Sequence, residues 1–501
     1  MQFPRKLQLA TDLYQLSMGN VYLNDGKAGE TAVFDAFIRR NPFNGGYTVA
    51  AGLEQMIDYI NGLAFTDEDI AQLHHYHPEF TGAFLDYMRH FKFSGEIYAV
   101  PEGTIIFPHE PIVRVKAPLI EAQLVETTIL AIMNHQTLIA TKASRIVEEA
   151  GDGPVMEFGL RRAHGTEPGY FGARAAVIGG CAGTSVVETE PMLDRASMGT
   201  MSHSFVLSYD SEREAFEKFC DYNPDNAVLL VDTYNTLESG VPNAIEVFGQ
   251  YKAAGKITGN YGIRIDSGDL AYLTAEARKM LDDAGFTDAK IVASSDLDEY
   301  LIRDLKSQGA KIDSWGIGTK LITAYDSPSL GGVYKMAEID GKPKMKISND
   351  PGKITNPGTK KIVRFYSRDN GMALADQLYL EDEVVDDTKP LRIFHPIHTW
   401  KQMTLRNFTA KELLVPVFVD GQCVYDKPSI DEIREHLQEE KRTLWPTYKR
   451  MVNPHVYHVD LSRKLWDLKQ DLLDEADVDL TDGEPPFEDP KKSKVNRKAS
   501  R

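Results

Sequence analysis

Between residues 154 and 320, short apolar runs alternate with segments of helical periodicity, and this alternation constrains the fold more than any other feature of the chain. The apolar runs end in polar, small or charged residues: PVMEFGLRR, AAVIGGCAGTS, ASMGTMSHS, AVLLVDTYNT, YGIRIDSGDL, KIVASSD and SWGIGTKL. Helical segments such as AYLTAEARKMLDDAG lie between several of them. Alternating strands and helices favour a parallel sheet, and repetition without a change of pattern favours a closed or nearly closed (β/α) barrel.

The flanking regions predict further domains, which makes this an α/β protein. We expect an α+β N-terminal domain with connecting helices over 1–150, the barrel over 151–360, a C-terminal strand and helix region over 361–480, and a mobile tail over 481–501. Asp340-Gly341 predicts a hairpin turn. The segments RTLWPTYKRMVNP and LSRKLWDLKQDLLDEA predict helices.

Composition excludes several classes of protein. The 501 residues include 56 Lys and Arg against 74 Asp and Glu, a net charge of −18, which disfavours binding to nucleic acids and to anionic membranes. The three cysteines are widely spaced and form no CxxC pair, which fits a reducing compartment. The N-terminus lacks the apolar core of a signal peptide, and no apolar run is long enough to span a membrane. We therefore expect a cytoplasmic protein.

In parallel barrels the chemistry lies at the C-terminal ends of the strands. Most of the residues at those ends are what a phosphate and sugar site would require. The ends carry Arg161, His203, Asp232, Arg264, Asp266, Ser267, Ser295, Asp296, Gly318 and Thr319.

The YGIRIDSGDL segment places Arg264 and Asp266 on one side of a strand, because strand side chains alternate. The turn at Ser267-Gly268 then leads into a helix whose N-terminus can hold an anion. Arg264 can bind a carboxylate or phosphate through two hydrogen bonds, and Asp266 can accept ribose hydroxyls. A buried Arg–Asp ion pair is an equally good interpretation.

Two other strand ends offer chemistry. The turn of Gly316, Gly318 and Thr319 lets a phosphate approach the backbone closely, although an ordinary tight turn has the same sequence. His203, beside Thr200, can act as a general base or as a nucleophile that accepts a phosphoryl group, or it can be a structural histidine. For either catalytic role, Asp232 on the next strand is the natural orienting carboxylate.

Aromatic and cationic side chains complete the candidates. The FGLRRAHG segment carries Phe158 and the pair Arg161–Arg162, which indicates an anion site or a solvated pair. Tyr14 can serve as a platform for a ring or can pack inward from its helix. No HExxH motif or other metal-ligand cluster is present in the sequence. From the residues alone, the chain is a barrel enzyme that handles a phosphorylated sugar together with another anion.

The segments TDLYQLSM, EFGLRRAHG, GTMSHSFV, RIDSGDL and WGIGTKL, in this order, resemble the nicotinate phosphoribosyltransferase family. NPHVYHVDLSRKLWDLK is similar to the family's C-terminal region, and the resemblance runs from about residue 8 to 475. It implies a type II phosphoribosyltransferase-like fold, with an irregular (β/α) barrel, an α+β N-terminal domain and a C-terminal extension.

The resemblance also implies an activity. Nicotinate and phosphoribosyl pyrophosphate would give nicotinate mononucleotide and pyrophosphate in NAD salvage, with ATP as co-substrate and Mg2+ as cofactor. A homodimer with its active sites near the interface is expected, and the metal ligands stay unknown.

The resemblance assigns roles residue by residue. Tyr14, contributed across the dimer, and Phe158 would enclose the pyridine ring, while Arg161 would contact a phosphate or the ring. Arg264 would bind the nicotinate carboxylate, with Thr200 as a second contact. Asp266 would hold the ribose hydroxyls, Gly318 and Thr319 the 5′-phosphate, and His203 would be phosphorylated by ATP. Asp232 and Asp266 join His203 as predicted catalytic residues; Ser267, Gly268 and Gly316 join the predicted substrate-binding residues.

Two alternatives stay open. A nicotinamide phosphoribosyltransferase is expected to place a carboxylate against the amide, and the strand end CAGTS has none. A sugar-phosphate lyase or isomerase could share the barrel. A Schiff-base lyase needs a lysine at a strand end, and only Lys320 is close.

Overall fold

The computed structural model describes residues 7–348 and 350–476. The tail predicted over 481–501 lies outside these residues, as does 477–480 at the end of the predicted C-terminal region. No helix within the described ranges is long and apolar enough to cross a membrane.

The N-terminal part forms six helices and five strands. They are α1 (Leu13–Asn24), α2 (Leu53–Asn61), α3 (Asp67–Tyr76), α4 (Gly82–Arg89), α5 (Leu119–Leu124) and α6 (Glu126–Ala150), with β1 (Thr31–Ile38), β2 (Thr48–Val49), β3 (Glu96–Ala99), β4 (Ile105–Ile106) and β5 (Val113–Pro118). The backbone N–H of Asp12 donates to Gln15 Oε1 at 3.0 Å, which fixes the start of α1. The segment TAVFDAFI forms β1, which is buried along most of its length.

The central part contains the predicted parallel sheet. Its strands are β6 (Val155–Glu157), β7 (Gly183–Thr184), β8 (Asn226–Leu230), β9 (Asn260–Ile265), β10 (Lys290–Ser295) and β11 (Ser314–Ile317), and its helices are α7 (Thr166–Ile178), α8 (Glu190–Leu193), α9 (His203–Leu207), α10 (Glu212–Tyr222), α11 (Val241–Ala253), α12 (Leu270–Asp283), α13 (Glu299–Ser307) and α14 (Thr319–Ile322). All six strands are parallel, in the order β7-β6-β11-β10-β9-β8.

The strand predicted in ASMGTMSHS is wrong. Residues 196–202 form no strand, and α9 begins at His203. One hydrogen bond of the kind that pairs strands forms, from Met198 N to Thr184 O at 2.8 Å. Glu190 Oε1 accepts from Ser197 N at 2.9 Å, and this bond ties the segment to α8 instead of to the sheet. The sheet therefore has β7 and β8 as its outer strands.

The C-terminal part adds ten strands and two helices. They are β12 (Gly332–Ile339), β13 (Lys342–Pro343), β14 (Lys360–Ser367), β15 (Ala373–Leu380), β16 (Leu391–Phe394), β17 (Gln402–Leu405), β18 (Phe408–Glu412), β19 (Val415–Val419), β20 (Gln422–Cys423) and β21 (Val459–Leu461), with α15 (Ile430–Thr443) and α16 (Arg463–Ala476). The hairpin at Asp340-Gly341 is confirmed, with φ of 45° and 70°.

Of the two helices predicted at the C-terminal end, one is confirmed and one is wrong. The segment LSRKLWDLKQDLLDEA contains α16. In RTLWPTYKRMVNP, α15 has ended at Thr443, and only a 3-10 turn forms at Pro446–Tyr448. Trp445 has φ −58° and ψ 142°, because a residue that precedes proline is driven out of the helical region.

One antiparallel sheet takes strands from three of the predicted domains. Its order is β13-β12-β1-β5-β3-β19-β20, so strands from residues 332–343 and 415–423 flank the N-terminal strands. A second sheet, β18-β14-β15-β21, lies in the C-terminal part. A continuous cluster of buried apolar side chains joins the first sheet to the parallel sheet.

A fully buried arginine connects the C-terminal sheet to its surroundings. Arg364 on β14 bonds Asp376 on β15 at 2.7 Å and Glu440 on α15 at 2.6 Å, and it donates to Ile105 O on β4 at 2.7 Å. Arg364 and Asp376 are both fully buried. Because an unpaired buried charge is strongly unfavourable, these contacts fix how the parts pack.

We expect Arg364→Met to lower the free energy of unfolding by about 3–5 kcal/mol, because it leaves Asp376 and Glu440 as buried carboxylates without their cation. Arg368→Met is the matched control: its pair with Asp387 at 2.9 Å is exposed, and its loss should cost less than about 1 kcal/mol. Urea denaturation of both variants measures the difference, and equal losses would contradict the proposed importance of the buried pair.

Candidate active site

The register of the parallel sheet brings most of the predicted residues to one face. Arg264 on β9 pairs with Val292 on β10, and Ser294 pairs with Gly316 on β11, which in turn pairs with Met156 on β6. Because side chains alternate, this face carries the following positions: Asp232, Arg264, Asp266, Ser294, Gly316, Gly318 and Phe158. These positions meet at the C-terminal edge of the sheet, and we call the space that they border the cleft.

Arg264 lies at the centre of this face and is held on three sides. Its Nε donates to Ser294 Oγ at 2.8 Å, and its Nη1 donates to Thr200 Oγ1 at 3.2 Å. Its Nη2 lies 3.2 Å from Asp266 Oδ1. The ion pair considered as one interpretation of the sequence is present, and it presents the guanidinium to the cleft in one orientation.

Asp232 supports Asp266 rather than His203. Asp232 Oδ2 accepts from the backbone N–H of Asp266 at 3.0 Å and from Ser267 Oγ at 2.6 Å. The prediction that Asp232 orients His203 is therefore wrong: the carboxylate beside the imidazole is that of Asp266. The reason is that the loop after β8 turns Asp232 towards the end of β9.

His203 is the first residue of α9 and reaches the same cleft. Its Nδ1 lies 3.1 Å from Thr233 Oγ1, and its Nε2 lies 3.9 Å from Asp266 Oδ2. The side chain is 41% exposed. The imidazole is thus held through one ring nitrogen, while the other faces the carboxylate and the opening of the cleft.

The ring of Phe158 forms the floor of the cleft beside Arg264. Its centroid lies 5.8 Å from the guanidinium carbon. A Cβ on Gly316 would come within 2.7 Å of two ring carbons, so the ring occupies space that only a glycine leaves free. An aromatic ligand over this ring would place its substituents next to Arg264.

The turn after β11 adds backbone donors. Gly318 has φ −112° and ψ −100°, and α14 begins at Thr319. A Cβ on Gly318 would lie 3.2 Å from Phe158 O. Lys320 Nζ bonds Asp298 Oδ2 at 2.7 Å. This lysine is engaged in an ion pair, which does not favour a Schiff-base role.

The turn after β9 has the geometry expected from its sequence. Ser267 and Gly268 are exposed, and Gly268 has φ +83°. Asp269 Oδ1 accepts from Tyr272 N at 3.1 Å and caps α12. Ser267, the first residue of this turn, donates through Oγ to Asp232 Oδ2 at 2.6 Å, which ties the turn to the end of β8.

Two predicted residues are not assembled with the others in the described chain. Arg161 lies in an exposed 3-10 turn, Leu160–Arg162, next to the cleft. Tyr14 is 45% exposed on α1. Partial burial and the nearby Glu126 raise the pKa of its phenol, so its surroundings within this chain belong to the N-terminal part.

Sequence reasoning missed Ser294 and Thr233. Ser294 is buried and links the two charged groups of the cleft, because it accepts from Arg264 Nε and donates to Asp266 Oδ1 in a short hydrogen bond. The strand end was assigned to Ser295 and Asp296, which are exposed. No sequence signal separates Ser294 from Ser295, because only the register of β10 against its neighbours decides which serine faces the cleft.

Comparison with known proteins decides the family. The N-terminal domain model of nicotinate phosphoribosyltransferase matches residues 9–134, and the C-terminal domain model matches residues 359–469. The nicotinate phosphoribosyltransferase of Bacillus subtilis (strain 168) is 48% identical over 94% of this chain and 96% of its own length. The chain belongs to the nicotinate phosphoribosyltransferase family.

Other members of the nicotinate phosphoribosyltransferase family support the fold. The human sequence is 31% identical over 93% of this chain and 96% of its own length. The crystal structure of human nicotinic acid phosphoribosyltransferase matches with a TM-score of 0.83 and 29% identity, over 92% of this chain and 99% of that chain. The predicted type II phosphoribosyltransferase-like fold class is confirmed.

The cleft of this family member offers oxygen ligands for a hard cation. Asp232 Oδ1 is buried and has no hydrogen-bond partner among the described residues, while Asp232 Oδ2 accepts from the backbone N–H of Asp266. The described residues form no group of three or more His, Cys, Asp or Glu side chains able to cage a metal. The residues therefore fit Mg2+ that takes its remaining ligands from water and phosphate.

We expect Gly316→Ala to displace the Phe158 ring, because the added methyl group would overlap two ring carbons. The crystal structure of the variant should show the ring moved, and overpacking should lower the free energy of unfolding by about 1–3 kcal/mol. Gly249→Ala is the control, since its Cβ would have no contact closer than 4.0 Å on helix α11. That variant should gain up to about 1 kcal/mol; an unmoved Phe158 ring in Gly316→Ala would contradict the packing argument.

Proposed function

We propose that this chain catalyses the formation of nicotinate mononucleotide and pyrophosphate from nicotinate and phosphoribosyl pyrophosphate, with ATP hydrolysis driving the reaction. The observation that carries the proposal is the pairing of an aromatic floor with a fixed cation. The Phe158 ring centroid lies 5.8 Å from the guanidinium carbon of Arg264, and Asp266 lies 3.2 Å from the same guanidinium, directly before the turn at Ser267 and Gly268. An aromatic carboxylate and a sugar phosphate fit side by side in this cleft.

Nicotinate recognition follows from Arg264. A guanidinium whose Nε is bound by Ser294 keeps its Nη groups directed at the cleft. A carboxylate that approaches them gains charge-assisted hydrogen bonds, whereas an amide gains weaker ones. Thr200, which already contacts Nη1, supplies a hydroxyl next to the same carboxylate. The cleft therefore prefers an acid to its amide.

The ribose and its 5′-phosphate would bind beside the turns that follow β9 and β11. Asp266 accepts hydrogen bonds from the ribose hydroxyls, and its charge stabilises the positive charge that develops on the ring as pyrophosphate leaves C1. The N–H groups at Gly318 and Thr319 donate to the 5′-phosphate, and those at Ser267 and Gly268 offer a second anion site. Because Gly316 has no side chain, the Phe158 ring fits against it and can support the pyridine ring.

Two further groups complete the proposed chemistry. When bound, Mg2+ neutralises charge on the leaving pyrophosphate, and Asp232 and Asp266 would hold it. ATP would phosphorylate His203 at Nε2, since Nδ1 is held by Thr233. Phosphorylation adds close to two negative charges at the edge of the cleft. That charge near the pyrophosphate site supports coupling of ATP hydrolysis to substrate binding.

The position of Tyr14 supports a homodimer. A half-exposed tyrosine on α1 offers a ring for the site of a second copy, whereas within its own chain it lies beside α6. We propose that Tyr14 of one protomer covers the pyridine ring that rests on Phe158 of the other.

The decisive experiment is product analysis with nicotinate, phosphoribosyl pyrophosphate, Mg2+ and ATP, with nicotinamide and quinolinate assayed in parallel. Nicotinate mononucleotide should form with nicotinate far faster than the corresponding products form from the other two substrates. Faster turnover of nicotinamide would favour the amide-specific enzyme, and the absence of a nucleotide product from nicotinate would refute the proposal.

We expect Arg264→Ala to lower kcat/KM for nicotinate roughly 10- to 100-fold, the range that corresponds to a lost charged hydrogen bond. The loss for nicotinamide should be smaller, because its amide carries no charge. Arg213→Ala is the control, since that arginine pairs with Glu217 and Glu246 on the outer helices. Steady-state kinetics with both substrates measure the ratio; equal losses would count against carboxylate recognition by Arg264.

His203→Ala should abolish ATP hydrolysis and its coupling to nucleotide formation, because no other residue would accept the phosphoryl group. Slow nucleotide formation should persist at high substrate concentration, since the contacts of Arg264 and Asp266 are retained. Incubation with γ-labelled ATP should label the native protein and leave the variant unlabelled. ATP-stimulated activity at the native level in the variant would refute the phosphohistidine role.

A further inference from the structure

Glu157 is a fully buried carboxylate on the face of the parallel sheet opposite the cleft. It is the last residue of β6 and has 0% exposure. Phe158, the next residue, faces the cleft. Within the part of the chain that the structure describes, the partners of the Glu157 carboxylate are Gly159 and Thr184, and no lysine, arginine or histidine pairs with it. Its burial therefore has to be balanced by hydrogen bonds alone.

Both carboxylate oxygens bind elements at the C-terminal edge of the sheet. Oε1 accepts a short hydrogen bond from the backbone N–H of Gly159, and Oε2 accepts from Thr184 Oγ1 at 2.6 Å. Thr184 lies on β7, the neighbouring strand. Glu157 thus connects the turn after β6 to the strand beside it.

The turn that Glu157 holds has little freedom to move. A Cβ on Gly159 would lie 2.6 Å from Ile322 Cβ and 2.7 Å from Glu157 Oε1, so the backbone is enclosed between α14 and the carboxylate. Phe158 N donates to Ile317 O at 2.8 Å. The peptide groups on both sides of Phe158 are therefore fixed, one by β11 and the other by Glu157.

We propose that Glu157 is a positioning residue that sets the orientation of the Phe158 ring, and with it the fit of the pyridine ring, from behind the sheet. Loss of the carboxylate leaves the Gly159 N–H buried without a partner, and the turn relaxes to reach another acceptor. That movement rotates the backbone of Phe158 and lifts its ring from the space above Gly316. This role rests on the proposed function, because the ring matters only if an aromatic substrate rests on it.

Glu157→Ala, Glu157→Gln and a matched control test the role. Glu121→Ala is the control: Glu121 is also buried, also accepts from a backbone N–H and a hydroxyl, those of Ser94, and belongs to the N-terminal part. Burial raises the pKa of both carboxyl groups. The two alanine variants therefore remove similar interactions, one behind Phe158 and one elsewhere.

We expect Glu157→Ala to raise the KM for nicotinate roughly tenfold, the factor to which about 1.4 kcal/mol corresponds, with the KM for phosphoribosyl pyrophosphate nearly unchanged. Glu157→Gln should recover most of the nicotinate KM, because its amide oxygen still accepts from Gly159. Glu121→Ala should lower Tm and leave both KM values unchanged. A nicotinate KM at the native level in Glu157→Ala, or equal increases in Ala and Gln variants, would overturn the role.

Two further measurements keep the result interpretable. If Glu157→Ala does not fold, Glu157→Asp replaces it, since the shorter side chain cannot reach both Gly159 and Thr184; an unchanged nicotinate KM there would again overturn the role. The crystal structure of either variant tests the geometry independently of any substrate, and an unmoved Phe158 ring would refute it. Inactive native protein would refute the proposed function alone.

Discussion

The shared register of the parallel strands is the constraint on which the site depends. Because β9, β10, β11 and β6 pair in register, alternate residues fall on one face, and the strand ends place them at one edge. A shift of one residue in β9 would send Arg264 and Asp266 to the helix side. The buried aliphatic residues of the opposite face, such as Ile263 and Ile265, prevent that shift, so the core selects the chemistry of the cleft.

Because the chain has a net charge of −18, a site for anions requires positive charge to be concentrated locally. The groups around the Arg264 guanidinium orient it without pairing a carboxylate with each of its donors. Ser294 and Thr200 are uncharged, and Asp266 takes only one Nη of Arg264. The same carboxylate lies 3.9 Å from His203 Nε2. Asp266 therefore lies between Arg264 and His203, and Asp232 binds the backbone N–H of Asp266 instead of the imidazole.

The sequence identified the elements whose signals are local and periodic, and it failed where tertiary contacts decide. The strands around Arg264 and Gly316 follow from apolar runs, and the hairpin between β12 and β13 follows from Asp340-Gly341. The segment at 196–202 mixes apolar and polar residues as a strand does, yet it forms no strand. Its backbone binds the Glu190 side chain and makes too little contact with β7 to extend the sheet. Ser294 was overlooked because two serines end β10, and only the register with Gly316 shows which one faces the cleft. Which carboxylate lies beside His203 depends on a loop conformation that no spacing encodes.

The aromatic floor of the cleft is built from very short elements. β6 has three residues, too few for strand pairing alone to fix the side chain that follows it. On the cleft side, the missing Cβ of Gly316 creates the space for the Phe158 ring. On the helix side, Glu157 and Ile322 enclose Gly159. A bulkier residue at Gly316 would collide with the ring itself, and one at Gly159 would collide with Ile322 and Glu157. The position of the ring therefore depends on two absent side chains and one buried carboxylate. Among the described residues Glu157 forms hydrogen bonds and no ion pair, and under our proposal an apolar residue in its place would leave the Gly159 N–H without an acceptor and the turn free to rotate.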